Sequence, residues 1–324
     1  MASGGKLSAM AVVLALFCAG AAAAPPVVDP AIKPYQPVAG VSGNLNGQGS
    51  DTLNNLMQLW GEGFQKVYPT VKVQYIGPGS NVAPTALTEG TAQLGPMSRA
   101  MKESEIDLIE KKFGFKPTRI IVALDCLAVY VNKDNPVKGL TLQQLDCIFS
   151  STRKSGFADI KTWGEAGVTD PSWAKLPISM YGRDSASGTN VFFRDVVLLK
   201  GDWKDSVKTK PGSAAVVQAV GEDKAGIGYS GIGYKTAEVR AIPLAKDADS
   251  ELVEPTFENA LAGKYPLGRA LYIYIIKKPG EPAPILVREF LKFVLSKEGQ
   301  EIVVKDGFGP LPAKIVEEQL KLLE

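Results

Sequence analysis

The chain has 324 residues, of which 45% are hydrophobic and 22% charged, a composition typical of a globular protein with room for about two domains. Its net charge of only +2 argues against a nucleic-acid-binding surface, which needs a marked basic excess. Histidine is absent, which excludes Ser-His-Asp and Cys-His catalysis, histidine acid–base chemistry and every histidine metal site.

Residues 1–23 have the layout of a cleavable signal peptide. Lys6 precedes an apolar run over 7–17, and small residues follow over 19–24. The apolar run is too short to span a bilayer. We therefore expect cleavage near Ala22 or Ala23 and export to the periplasm, with secretion as the alternative.

A proline-rich segment over 24–43 follows the predicted leader and has little apolar periodicity. This composition predicts an extended linker or arm, so folding is expected to begin near Asn44. Two cysteines lie further on, Cys126 in a strand-like run and Cys147 in a helix-like run. An exported protein could pair them, and apolar surroundings would equally suit two buried thiols, so both alternatives stay open.

Helix-like and strand-like segments alternate from residue 53 onwards. The predicted elements are a helix over 53–67, a strand over 71–76, a helix ending at 87, a helix over 103–113, a strand over 119–131, a helix over 142–149, a strand over 178–181, helices over 191–199 and 213–220, strands over 239–244 and 271–276, and helices over 285–295 and 313–323. This alternation predicts an α/β fold with a mainly parallel sheet. In such sheets, ligands bind where strand ends lead into helix N-termini.

Four polar loops that lead into helices carry hydroxyl side chains, and three of them also carry an adjacent glycine. The hydroxyls are at 50–52, 80, 98 and 187–189, and the glycines are Gly49, Gly79 and Gly188. Helix N-termini attract anions, and glycine lets a ligand approach the backbone. Arg183 adds a permanent cation whose fork of donors suits a tetrahedral oxyanion. Helix capping, by Ser187 or Thr189 for example, would also explain hydroxyls here, but their recurrence favours an anion-binding site.

Five motifs of this chain resemble, in the same order, those of the periplasmic phosphate-binding proteins that serve ABC phosphate importers. They lie at 49–53, 79–80, 95–99, 181–189 and 226–231. The resemblance implies a type II periplasmic binding protein, with two lobes that are each a doubly wound, mainly parallel α/β unit. It also implies two crossover strands, near Asp125 and over 265–269. Lobe 1 would then comprise 44–124 and 267–324, and lobe 2 would comprise 125–266.

The resemblance implies that inorganic phosphate binds in the cleft between the lobes. The implied binding residues are Ser50, Asp51, Thr52, Ser80, Ser98, Arg99, Arg183, Ser187, Gly188 and Thr189. It further implies a monomer without cofactor, metal or catalytic residue, which passes phosphate to an ABC permease complex in the inner membrane.

One position departs from the family pattern. Well-known members have an aspartate where this chain has Ser98, and that aspartate accepts the proton of hydrogen phosphate. We expect Asp51 to supply the acceptor instead, because it is the only carboxylate within the first three loops. Arg99 would then contact the ligand or hold Asp51. The alternatives are that Asp51 is a plain helix N-cap, or that Asp184 is the acceptor, although its position suits a partner of Arg183 better.

Three other functions fit parts of the sequence: a binder of another tetrahedral oxyanion, a phosphate-scavenging or adhesive exported protein, and an exported phosphatase. The phosphatase is the least favoured of these because no histidine can activate a serine. Residues 228–231 resemble a nucleophile elbow, but Ile232 stands where that motif needs glycine.

Overall fold

The computed structural model describes residues 26–324, within which eleven strands and eleven α-helices are found. The strands are β1 (Gly43–Gln48), β2 (Val71–Ile76), β3 (Gly95–Met97), β4 (Thr118–Asn132), β5 (Leu140–Thr141), β6 (Ser179–Arg183), β7 (Lys208–Lys210), β8 (Gly226–Gly231), β9 (Val239–Ala241), β10 (Leu244–Ala245) and β11 (Gly268–Ile275). The helices are α1 (Asn54–Val67), α2 (Ala83–Glu89), α3 (Glu103–Phe113), α4 (Leu142–Phe149), α5 (Pro171–Ala174), α6 (Gly188–Val196), α7 (Ser213–Glu222), α8 (Phe257–Leu261), α9 (Ile285–Leu295), α10 (Lys297–Lys305) and α11 (Ala313–Lys321).

The predicted α/β fold is confirmed: β4 lies in the middle of a seven-stranded sheet that extends through both lobes, and β5 and β10 form a separate two-stranded parallel sheet. The strand order of the seven-stranded sheet is β3-β11-β4-β8-β6-β7, and β9 also pairs with β4. β1 and β2 pair in parallel beside β3, to which β1 is linked by a bridge between Gly47 and Leu94. In the first lobe, β11 is the reversed strand, because it is antiparallel to both β3 and β4. In the second lobe, β4 is the reversed strand, because it is antiparallel to β8 and β9. β1, β2 and β3 run in one direction in the first lobe, and β6, β7, β8 and β9 run in one direction in the second.

Two large hydrophobic cores divide the chain. The buried residues of the first core come from 32–123 and 271–323, and those of the second come from 126–267. β4 passes from one core to the other, pairing with β11 up to Cys126 and with β8 from Leu127 onwards. The predicted lobe boundary at 124/125 falls between the two cores, whereas Leu267, just beyond the predicted boundary at 266/267, is buried in the second core. The exact limits of the lobes stay a prediction.

From residue 26 onwards, the proline-rich segment is packed on the first lobe, in contrast to the linker that its composition predicted. Ile32 and Val41 are buried in the first core. The Tyr35 hydroxyl donates a hydrogen bond of 2.9 Å to Glu289, and its ring packs edge-on against Phe293 at 5.7 Å between centroids. Residues 26–42 therefore fold with the first lobe. The predicted signal peptide over 1–23 lies outside the described residues.

Helix α6 differs from its prediction at both ends. The sequence predicted a helix over 191–199, but α6 begins at Gly188, because Ser187 caps it by accepting the Asn190 amide at 3.3 Å. The helix ends at Val196, and shortly afterwards Leu199 and Lys200 have left-handed φ values of 50° and 61°. Both Cys126 and Cys147 are free and buried, which decides the open alternative in favour of two thiols. Within residues 26–324, no helix is long and apolar enough to cross a membrane.

Candidate functional site

Four hydroxyl side chains from both lobes meet where the lobes close on each other. Thr52 and Thr189 lie 2.9 Å apart between their Oγ1 atoms, and Ser80 and Ser98 lie 3.3 Å apart between their Oγ atoms. Ser98 Oγ is 3.5 Å from Thr189 Oγ1, which joins the two pairs into one cluster. All four residues are fully buried or nearly so. Hydroxyls can both donate and accept, so this cluster can adapt its hydrogen bonds to an incoming anion.

Glycines let these loops approach so closely. A Cβ atom at Gly188 would lie 2.2 Å from Ser80 Oγ and 2.8 Å from Ser98 Oγ. A Cβ atom at Gly79 would lie 2.3 Å from the Ala186 carbonyl oxygen, and one at Gly49 would lie 2.0 Å from that of Pro96. Each of these three glycines therefore lies where another loop leaves no room for a side chain. At Gly79 and Gly188, that other loop belongs to the opposite lobe.

Arg183 reaches the first lobe at Asp51, the residue before Thr52 of this cluster, and is 1% exposed. Its Nη1 donates to Ser213 Oγ at 2.8 Å and its Nη2 donates to the Pro211 carbonyl at 3.1 Å. Within residues 26–324, its Nε atom is buried without a hydrogen-bond partner. A buried guanidinium N–H without an acceptor is costly, and an anion oxygen is a suitable acceptor.

Asp51 links the two lobes through its side chain. Its Oδ2 atom lies 3.2 Å from Arg183 Nη1 and accepts the Ser213 amide at 2.8 Å. Ser213 is the first residue of α7, so Asp51 caps a helix of the second lobe. The alternative of a plain N-cap on its own helix is wrong, because Ser50 holds that position before the turn at 51–53.

Arg99 and Asp184 have other partners than the sequence suggested. Arg99 forms a bidentate ion pair with Glu105, at 2.8 Å and 2.6 Å, so its predicted role of holding Asp51 is wrong. Burial opposes ionisation of Glu105, but the bonds from Arg99 and from the Lys102 amide keep its pKa below the ordinary value. The Asp184 Oδ1 atom accepts the Ala186 amide at 3.1 Å, whereas the ion pair of Arg183 is with Asp51.

A second buried ion pair borders the hydroxyl cluster, and sequence analysis did not include it in the site. Arg269 donates from Nε and Nη2 to Asp125 Oδ2, at 2.9 Å and 2.7 Å. It also donates to the Ser98 carbonyl and to Thr189 Oγ1, both at 3.0 Å. The only signal in the sequence was the position of both residues in the predicted crossover segments.

The arrangement can bind an oxyanion. Hydroxyl groups, the first-turn N–H groups of α6 and two guanidinium groups come from buried residues at the junction between the lobes. Charge-assisted hydrogen bonds are strong in such surroundings. Within the described residues, no group of three or more Cys, Asp or Glu side chains could hold a metal ion.

The sequence of the chain is similar to those of known phosphate-binding proteins. A model of the PBP superfamily domain matches residues 34–298. The phosphate-binding protein PstS of Pseudomonas aeruginosa is 54% identical over 305 residues, which cover 94% of this chain and 94% of that protein. PstS of Staphylococcus saprophyticus is 31% identical over 289 residues, covering 87% and 85%.

Solved structures give the same fold. A substrate-binding protein with bound phosphate from Clostridium perfringens has a TM-score of 0.69 and 26% identity, and the match covers 83% of this chain and 100% of that one. An ABC-type phosphate transport receptor from Vibrio cholerae, at 24% identity, has a TM-score of 0.64 over 83% of this chain and 100% of its own. The chain belongs to the PBP superfamily and, within it, to the family of phosphate-binding proteins called PstS.

Proposed function

We propose that the chain binds inorganic phosphate between its two lobes and passes it to an ABC permease complex. The observation that carries this proposal is the convergence of buried donors from both lobes: the four clustered hydroxyls and the unsatisfied Nε of Arg183. The two relatives are both named phosphate-binding proteins, which supports phosphate as the anion. Export to the periplasm and a monomeric state are parts of the same proposal.

The ligand would occupy the junction that the hydroxyls now share. Ser80 Oγ accepts the Ser98 amide at 3.1 Å, which leaves the Ser80 hydroxyl hydrogen for an acceptor. Oxygens of a phosphate ion would accept from Ser80, from Arg183 Nε and from the amides at the start of α6. The hydroxyl–hydroxyl contacts would then give way to stronger bonds to a charged oxygen.

Asp51 remains our proposed acceptor for the proton of hydrogen phosphate. Arg183 and the Ser213 amide both contact its Oδ2 atom, so Oδ1 keeps lone pairs for a proton donor. A carboxylate at this place also repels fully ionised sulfate, which brings no proton to share. Ser50, Arg99 and Ser187 complete the proposed set, although the Arg99 side chain is engaged by Glu105 and the Ser187 hydroxyl caps α6.

Isothermal titration calorimetry of the purified mature protein with phosphate, sulfate and arsenate tests the proposal. Saturable, one-to-one binding of phosphate with much weaker binding of sulfate is expected. Equal or tighter binding of sulfate would favour a different oxyanion, and no heat with any of the three would refute the proposed function. The same titrations on Asp51→Asn should reduce the preference for phosphate over sulfate, and an unchanged preference rules Asp51 out as the proton acceptor.

The chain is expected to act as a receptor and not as an enzyme. The absence of histidine from the whole sequence supports this expectation, because no imidazole can activate a serine for attack on a phosphoester. Incubation with a chromogenic phosphate ester should release no product above the rate in buffer, and release abolished by Arg183→Ala would contradict it.

A further inference from the structure

We propose that Arg269 is a positioning residue for ligand binding, which fixes the Thr189 hydroxyl as a hydrogen-bond donor to the anion. The inference deepens the proposed function and rests on it. Its basis is the contact between the Asp125–Arg269 ion pair on the crossover strands and Thr189 in the first turn of α6.

The position of Arg269 is fixed from several sides. Asp125 and Arg269 face each other in the register of β4 and β11. Two bonds from Arg269 reach Asp125 Oδ2, while Asp125 Oδ1 accepts the Ile232 amide at 3.2 Å. The guanidinium also lies over the Phe192 ring, 5.2 Å from its centroid. With Asp125 fully buried, this ion pair holds the guanidinium at one place and in one orientation.

The remaining donors of Arg269 reach both sides of the site. Nη1 donates to the carbonyl of Ser98, which follows β3 in the first lobe, and Nη2 donates to Thr189 Oγ1 in the second lobe. The Arg269 guanidinium therefore contacts both Ser98, which stands where the family has an aspartate, and the Thr189 hydroxyl of the other lobe.

The direction of the Thr189 hydroxyl follows from the chemistry of arginine. Arginine has no acceptor, so in its bond to Arg269 the Thr189 oxygen must accept. The single hydroxyl hydrogen of Thr189 must then be donated elsewhere, and its neighbours are Thr52 Oγ1 at 2.9 Å and Ser98 Oγ at 3.5 Å. When an anion enters the cluster, this hydrogen is already directed away from Arg269 and towards the ligand side. Arg269 thus prepares a donor without touching phosphate itself.

A double-mutant cycle on phosphate affinity tests this mechanism. Arg269→Lys keeps the charge opposite Asp125 but replaces a three-nitrogen fork by one nitrogen, so the bond to Thr189 is lost. Thr189→Val removes the hydroxyl at nearly constant volume. Arg269→Lys should weaken phosphate binding about tenfold, the equivalent of one hydrogen bond. In the Thr189→Val background, the same change should have no further effect.

Arg288→Lys is the matched control. Arg288 also pairs with a buried carboxylate, its Nε atom lying 3.5 Å from Glu289 Oε1, and it is far along the chain from the binding loops. It should leave phosphate affinity unchanged. If Arg269→Lys does not fold, the neutral pair Asp125→Asn with Arg269→Gln replaces it in the cycle, with the same expected result.

Unchanged affinity of Arg269→Lys, or losses that add to those of Thr189→Val, would overturn the proposal, since a merely structural arginine would act independently of the Thr189 hydroxyl. These outcomes require that the wild type binds phosphate. A wild type that binds no phosphate would instead refute the proposed function, and this inference with it.

Discussion

Replacing Gly188 by alanine should hinder closure of the lobes, and so weaken phosphate binding, without lowering the free energy of unfolding. An added Cβ atom would lie 2.2 Å from Ser80 Oγ, 2.7 Å from Ser80 Cβ and 2.8 Å from Ser98 Oγ, whereas ordinary contacts begin at 3.4 Å. Every one of these clashes is with the opposite lobe. The lobes can therefore relieve the overlap by remaining slightly open, at the expense of the closed, ligand-binding state.

The expected loss can be estimated from the cost of overpacking. An overlap of this size in a closed interface costs about 2–3 kcal/mol. Phosphate binding to Gly188→Ala should therefore weaken roughly 30- to 150-fold. Gly188 begins α6 with an ordinary backbone conformation, and alanine is the better helix former, so the free energy of unfolding without phosphate should stay equal or rise by about 0.5 kcal/mol.

Gly299→Ala provides the contrast, because its added Cβ atom would lie 2.1 Å from the Phe293 carbonyl and 2.3 Å from that of Val294, within one lobe. Opening the lobes cannot relieve that overlap, so this variant should lose about 3 kcal/mol of stability. Calorimetry with phosphate and urea unfolding should be measured on both variants. Undiminished phosphate affinity of Gly188→Ala, or a loss of stability similar to that of Gly299→Ala, would refute the reasoning.

Three further predictions concern the rest of the molecule. Deletion of residues 26–41 should lower the melting temperature but leave phosphate affinity unchanged, because this arm packs on the first lobe away from the binding loops; both are measured on one preparation. Glu105→Gln should lower the free energy of unfolding by about 1 kcal/mol at neutral pH. The folded-state pKa of Glu105 lies below its ordinary 4.5, so this difference should be complete above pH 4.5 and disappear as the pH falls through the folded-state value, which urea unfolding across pH measures. Cys126 and Cys147 should resist a thiol reagent in the native mature protein and both react in guanidinium chloride, since burial raises the pKa of each thiol.

Elements with a strong local pattern could be predicted from the sequence. β2 and α9 have their predicted bounds. Alternation over 71–76 lies between Pro69 and Gly77, and helical periodicity over 285–295 begins directly after Pro284. α10 was missed: a single residue, Ser296, separates it from α9, and Ser296 caps it by accepting the Gly299 amide. Caps so close to a preceding helix are not recognisable from periodicity alone.

The partners of charged side chains could not be predicted, because they depend on tertiary contacts. Asp51 and Ser213 are 162 residues apart, and Asp125 and Arg269 are 144 apart. Strand register brings the second pair together, and closure of the lobes brings the first. The loop hydroxyls could be identified because each follows from its own local motif, and their mutual distances required the structure.

The most direct test is a crystal structure of the mature protein grown with phosphate. Tetrahedral density should lie between the lobes, within hydrogen-bonding distance of Ser80, Thr189 and Arg183 Nε, and the Thr52–Thr189 hydroxyl contact of 2.9 Å should be lengthened or broken. Phosphate bound elsewhere, with the four hydroxyls still in contact with one another, would contradict the account.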